Sequence, residues 1–119
     1  MRWPKGDDGQ PAGADACELE WHAAQLHQAL ADGEDVLLLD VREPHEYAAG
    51  HLPDTLHIPL GNLGASVHRI QAQGGVTVVV CICRSGHRSL TAATVLRQHG
   101  LHAVSLKGGV LGWNGAMVR

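Results

Sequence analysis

Val76-Thr77-Val78-Val79-Val80-Cys81-Ile82 is an unbroken, mostly β-branched run that leads directly into Cys83-Arg84-Ser85-Gly86-His87-Arg88-Ser89 and then into residues at helical spacing. A strand with no polar alternation has both faces covered, as in the middle of a parallel sheet, and parallel strands require crossover connections that are usually helices. This one segment therefore points to an open α/β sheet. It also places Cys83 at the carboxyl end of a strand, where loops and helix N-termini meet and where such sheets bind ligands.

The remaining sequence alternates strands and helices in the same way. Met1 to Ala14 is rich in Gly, Pro, Asp and Gln and is expected to be a flexible lead-in, with residues 15–119 forming a single domain. Asp15 is a candidate helix cap, and Leu19, His22, Ala23, Leu26, Ala29 and Leu30 recur at helical spacing up to Asp32-Gly33. Val36-Leu37-Leu38-Leu39-Asp40-Val41 is a second buried strand, with Asp40 at its carboxyl end. Pro44 opens a short helix over Glu43 to Ala49 that Gly50 closes, and Pro53 and Pro59 bracket a strand around Leu56-His57-Ile58. Gly61 to Gln73 reads as a helix, and Ser89 to His99 as another, with Leu90, Ala93, Thr94, Val95 and Leu96 on its apolar face. His102 to Leu106 is a last strand, and Gly108-Gly109 precedes a terminal helical segment with Trp113.

The loop after Cys83 is suited to anionic sulfur chemistry. Successive backbone N–H groups from Arg84 to Ser89 can curl into a nest for negative charge, and the next helix adds the positive end of its dipole. A thiol of ordinary pKa, about 8.5, is only a few per cent thiolate at pH 7; a helix N-terminus and nearby arginines lower that value. The competing reading of Cys83 is a small buried apolar residue, but a core cysteine is not expected to lead into two arginines, a serine and a glycine. Cys81 lies within the apolar strand and reads as core rather than as a resolving thiol. Cys17 reads as a partly buried helix residue. Charge is uneven along the chain: residues 1–54 hold all 12 acidic groups and three basic ones, a balance of −9, while residues 55–119 hold six basic groups and no acid, which gives the net −3. Either this is a chance division of surface charge, or it gives the cysteine loop a local field that attracts anions.

Four segments taken in order resemble the rhodanese family of sulfurtransferase domains. They are Leu38-Leu39-Asp40-Val41-Arg42-Glu43-Pro44-His45-Glu46-Tyr47; Gly50-His51-Leu52-Pro53 with Ile58-Pro59; Cys83 to Ser89; and Gly108-Gly109 with Trp113, so that the resemblance covers about Glu18 to Trp113. It implies a rhodanese-like open, mostly parallel sheet with helices on both faces. It further implies that Cys83 is the catalytic residue, taking the outer sulfur of thiosulfate or another sulfane donor as a persulfide and passing it to cyanide or a thiol, with a protein persulfide carrier among the candidate partners. Backbone N–H groups of Arg84, Ser85, Gly86, His87 and Arg88 would then cradle the persulfide, and Arg84 and Arg88 would orient a sulfonate. Asp40, Arg42 and Glu46 match a charge network of the family beneath the loop, where fold maintenance is favoured over direct support of the site. His51 is likewise expected to be structural. Asp54-Thr55 and His57 depart from the Gly-Ala and Asn that are frequent in the family, which bears on loop detail and not on the cysteine.

Other functional classes fit less well. Cysteine phosphatases and arsenate reductases share the strand, cysteine and anion cradle, but their signature places five residues between cysteine and arginine. Here four separate Cys83 from Arg88, a smaller ring of amides that suits a sulfur atom better than a tetrahedral phosphate. A binding or regulatory module of the same fold is the other alternative, although such modules often lack the cysteine retained here. Nine histidines and three cysteines invite a test for a metal site, yet no Cys-x-x-Cys or His-Glu-x-x-His spacing occurs, and His99 and His102 straddle Gly100. No metal and no cofactor are expected. His22, His27, His45, His68, His99 and His102 read as surface or boundary residues, and His87 as a loop residue that adds positive charge below about pH 6.5. The net negative charge, with no aromatics interleaved among basic residues, argues against nucleic acid. No apolar run approaches the roughly 20 residues of a membrane span, and the polar, acidic N-terminus is unlike a signal peptide. The odd cysteine count suits reduced thiols, so the expected location is the cytoplasm.

Overall fold

The apolar run forms the central strand of the sheet in a computed structural model of the chain, which describes residues 18–119. The lead-in over 1–14, the Asp15 cap and Cys17 lie outside the described residues. Five strands, β1 (Glu20–Trp21), β2 (Val36–Asp40), β3 (Thr55–His57), β4 (Val78–Ile82) and β5 (Ala103–Leu106), form one sheet in the order β1-β5-β4-β2-β3, and every pairing is parallel. All five residues of β4 are buried, as an unbroken apolar strand requires.

Helices α1 (Ala23–Ala31), α2 (Pro44–Ala49), α3 (Leu63–Gln71) and α4 (His87–Gln98) provide the connections, with single 3₁₀ turns at Leu60–Asn62 and Gly109–Gly112. Strand alternation divides the core between two faces. Leu39, Val79, Cys81 and Cys83 pack with Leu63, Val67 and Ile70 of α3 and with Ala92, Ala93 and Leu96 of α4. Leu38, Val78, Val80, Ile82, Val104 and Leu106 pack on the other side with Leu26 of α1, Leu52 and the partly buried Trp113. Helices thus cover both faces of an α/β sheet, and among the described residues no helix is long and apolar enough to cross a membrane.

The first helix differs from its sequence expectation. It begins at Ala23, where the Gln25 side chain accepts the His22 N–H at 2.7 Å. Glu20–Trp21 is a strand instead, because the outer edge of β5 presents backbone groups that need partners: Ser105 N–H donates to Leu19 O at 2.7 Å and Lys107 N–H to Trp21 O at 2.8 Å. The segment Gly61 to Gln73 enters its helix through the 3₁₀ turn at Leu60. The final helical segment is one 3₁₀ turn, with Trp113 just beyond it, where its ring stacks on His27 at 4.1 Å.

Candidate active site

The carboxyl ends of β2 and β4 adjoin, with Asp40 in register with Ile82, so the loops that follow them meet. Beyond Ile82 the chain turns sharply to start α4. Gly86, the residue before that helix, has φ +113°, and a Cβ there would stand 3.3 Å from the Gly108 backbone nitrogen. Only glycine accepts both the dihedral and the close approach.

This turn folds the backbone around Cys83. Gly86 N–H donates to Sγ at 3.0 Å and Ser89 N–H at 3.4 Å, and the Ser89 hydroxyl lies 3.4 Å from the same sulfur. Burial pushes the Cys83 thiol up, but the hydrogen bonds from the Ser89 hydroxyl and from the N–H groups of Ser89, Gly86 and Ser85 outweigh it, so the thiol is held below its ordinary value. The charge on the sulfur is thus favoured by hydrogen bonds to the thiolate, from loop N–H groups of the kind the sequence placed in an anion nest and from the Ser89 hydroxyl. The Ser89 hydroxyl stands out as a contributor to which sequence reasoning, having placed only the Ser89 N–H in the nest, gave no role. Cys81 is fully buried on the same face as Cys83, and burial drives its thiol strongly upward. It is not poised to ionise.

The remaining loop residues separate by exposure. Arg84, Ser85 and His87 are exposed, and the Ser85 hydroxyl and His87 Nδ1 lie 3.2 Å apart. Arg88 is half-buried. Its two terminal nitrogens donate to the two carboxylate oxygens of Glu46 at 2.6 and 2.8 Å, a bidentate pair between α4 and α2. The acidic and basic halves of the sequence therefore meet at this pair, which neutralises the Arg88 guanidinium, while Arg84 stays exposed.

Asp40, Arg42 and Glu46 do not form one hydrogen-bonded network. Asp40 and Arg42 make a buried pair at 2.8 Å, in which Asp40 Oδ1 also accepts Arg42 N–H at 3.0 Å, and Arg42 Nη2 donates to Gly50 O at 2.7 Å. This ties the end of β2 to the end of α2. Glu46 belongs to Arg88. The Tyr47 ring stacks with both His51 at 3.7 Å and His57 at 4.3 Å. His51 Nδ1 lies 2.8 Å from Tyr47 O and His57 Nε2 lies 2.8 Å from Arg42 O, so both imidazoles are engaged in the packing of α2.

The Glu46–Arg88 pair gives a pH prediction. Hydrogen bonds from Arg88, opposed by partial burial, hold the Glu46 carboxyl down to about 2. A depressed carboxylate contributes stability above its unfolded value, about 4.3, and loses it as pH falls through its folded value. At pH 7, Glu46→Gln is expected to lower the unfolding free energy by about 1–2 kcal/mol, a modest figure because water reaches both partners. In urea titrations across pH, the gap between the two proteins should close between about 4.5 and 2. A gap that stays constant to pH 2 would show that the carboxylate charge is not its source.

The 3₁₀ turn after β5 completes the site from below. Val110 N–H donates to Cys83 O at 2.9 Å and Leu111 N–H to Arg84 O at 3.1 Å. These bonds fix the first two carbonyls of the cysteine loop.

The chain is similar to known proteins in sequence and in fold. The Rhodanese-like domain family model matches residues 22–116. A sulfurtransferase of Allochromatium vinosum is 40% identical over 95 residues, covering 79% of this chain and 86% of that protein. The crystal structure of a rhodanese-related protein from Thermoplasma volcanium superposes with a TM-score of 0.69 at 27% identity, covering 83% of this chain and 96% of the other. For the human single-domain sulfurtransferase the TM-score is 0.68 at 26% identity, with coverage of 82% and 98%.

Proposed function

The chain belongs to the Rhodanese-like domain family, with a function of the sulfurtransferase type, and on that premise we propose that it carries a sulfane sulfur from thiosulfate or a related donor to a thiol or cyanide as a persulfide on Cys83. The observation that carries the reading is the convergence of Ser85, Gly86 and Ser89 donors on one sulfur at the end of β4.

The chemistry follows from that convergence. The Cys83 thiolate attacks the outer sulfur of thiosulfate; the new bond is Cys83 S–S, and the sulfur–sulfur bond of the donor breaks, with sulfite leaving on the electron pair. The persulfide carries the negative charge outward into the loop, where backbone N–H groups face it without any reorganisation. Cyanide carbon, or an acceptor thiolate, then attacks the outer sulfur. Thiocyanate or the acceptor persulfide departs, and the bonding pair returns to Cys83 as thiolate. No proton needs to be removed at either step when both nucleophiles are already anions. The thiolate-favouring cradle therefore takes the place of a general base.

Arg84 is the exposed cation next to the nucleophile, whereas Arg88 is committed to Glu46. Arg84 is accordingly assigned to the sulfonate of thiosulfate. Wild type should form thiocyanate from thiosulfate and cyanide, and Arg84→Ala should raise KM for thiosulfate about tenfold, the size of one charge-assisted contact in water. Use of a neutral sulfane donor by the variant should stay within about twofold of wild type. Equal losses with both donors would remove Arg84 from sulfonate recognition, and absence of thiocyanate with wild type would overturn the thiosulfate reading.

A further inference from the structure

Ser105 is the sole polar side chain in the buried strand Ala103-Val104-Ser105-Leu106, and it is fully buried. An alanine would fill that place without a hydroxyl to satisfy, so the hydroxyl calls for an explanation. Ser105 is in register with Cys81, and its side chain meets α4 just behind the catalytic loop. Its Oγ lies 2.6 Å from Ser89 Oγ and donates to Gly86 O at 3.5 Å, while Ser89 Oγ lies 3.4 Å from Cys83 Sγ. The result is a buried chain: Cys83 sulfur, Ser89 hydroxyl, Ser105 hydroxyl, Gly86 carbonyl.

Counting protons shows what such a chain does. It has three gaps. With Cys83 as a thiol there are three protons, one for each gap, and all can point from sulfur toward the Gly86 carbonyl. With Cys83 as a thiolate only two protons remain, and both ends of the chain are acceptors. One gap must then go unfilled. The long contact to Gly86 O is the cheapest to give up, and reversing both hydroxyls lets Ser105 donate to Ser89 and Ser89 donate to the sulfur anion.

We propose that Ser105 is a positioning residue that turns the Ser89 hydroxyl toward Cys83 whenever the sulfur is anionic. The inference rests on the sulfurtransferase reading for its purpose, but not for its measurement. Donation from Ser105 polarises the Ser89 O–H, and consecutive hydrogen bonds strengthen one another in a buried setting. The same orientation serves the thiolate before attack and the thiolate that leaves when the acceptor takes the outer sulfur. The other charged or titratable groups nearby are Cys81 on the same strand face, Arg88 with its partner Glu46, the exposed Arg84, His87 and Lys107, and the Asp40–Arg42 pair at the end of β2. Among the described residues none of them hydrogen-bonds to either serine hydroxyl.

The test follows the rate of alkylation of Cys83 against pH. Ser105→Ala should move the midpoint upward by about half to one unit, a three- to tenfold loss of thiolate below the midpoint, with the limiting rate at high pH unchanged. Ser105→Thr, which keeps the hydroxyl, should restore the wild-type midpoint. In a Ser89→Ala background, Ser105→Ala should have no further effect, because Ser105 acts only through Ser89. An unshifted midpoint in Ser105→Ala, or a full shift that persists without Ser89, would overturn the proposal. Should Ser105→Ala fail to fold, the wild-type hydroxyl proton shared by the two serines remains readable by NMR. Its resonance must move with the Cys83 midpoint, and a resonance indifferent to that titration would also overturn it. Alkylation does not require sulfur transfer, so failure of the thiosulfate assay and failure of the relay are separate results.

Discussion

Gly109→Ala is expected to destabilise the protein more than removal of any single side chain of the cysteine loop. Gly109 has φ +55°, and a Cβ there would overlap the carbonyl oxygens of Cys83 and Arg84 and lie 2.6 Å from the Arg84 carbonyl carbon. These are backbone atoms. They cannot rotate aside as a side-chain tip would, and they belong to the two residues whose carbonyls receive Val110 and Leu111 N–H. Making room for one methyl group therefore means breaking both bonds and displacing the loop from beneath. The left-handed dihedral adds its own cost for a residue with a Cβ. A loss of about 3 kcal/mol or more in unfolding free energy follows, seen as a fall of roughly 10 °C or more in Tm. The alkylation midpoint of Cys83 should rise toward that of an unperturbed thiol, since the N–H groups of Ser85 and Gly86 move with the loop. A variant with wild-type Tm and wild-type midpoint would refute the claim that this turn holds the loop in place.

Cys83→Ser should have the opposite profile, with stability kept and turnover lost. The side chain is almost fully buried, and an oxygen in place of sulfur is smaller but can accept the same N–H donors. Tm should stay within a few degrees of wild type. Turnover should fall by at least a thousandfold, because a serine hydroxyl is not ionised near neutral pH and needs a neighbouring base. The titratable group of the loop, His87, has its Nδ1 against the Ser85 hydroxyl and not against residue 83. Residual turnover above a few per cent of wild type, in protein free of contamination, would mean that another residue accepts the sulfur.

How much of this could be read from the sequence depended on the range of the interactions involved. β4, β2 and the cysteine turn were legible because each is a local pattern: an unbroken apolar run, then a glycine, then helical spacing. The two-sided core followed from the same runs. Glu20–Trp21 was misread as helix because Leu19, His22 and Leu26 do fit the helical period, while the partner that makes the segment a strand is the edge of β5, more than 80 residues away in sequence. The Glu46–Arg88 pair spans 42 residues, so charge totals along the chain, which left open whether the cysteine loop sits in a basic field, could not show that Arg88 is compensated while Arg84 is exposed. Gly109 was visible as half of a Gly-Gly motif, but its reason lies in the carbonyls of Cys83 and Arg84. Ser105 left a faint trace: one hydroxyl in a strand of otherwise apolar residues marks a buried polar group in need of a partner. Ser89 in the cysteine loop was the partner within reach of that clue.

Intact-mass spectrometry is the most direct test of sulfur transfer through Cys83. The protein is incubated with thiosulfate, freed of excess donor and weighed without reduction. Wild type should gain the mass of one sulfur atom and lose it again on addition of cyanide, and Cys83→Ser should gain nothing. An unchanged wild-type mass across several sulfane donors, or an equal gain in Cys83→Ser, would contradict a persulfide on Cys83.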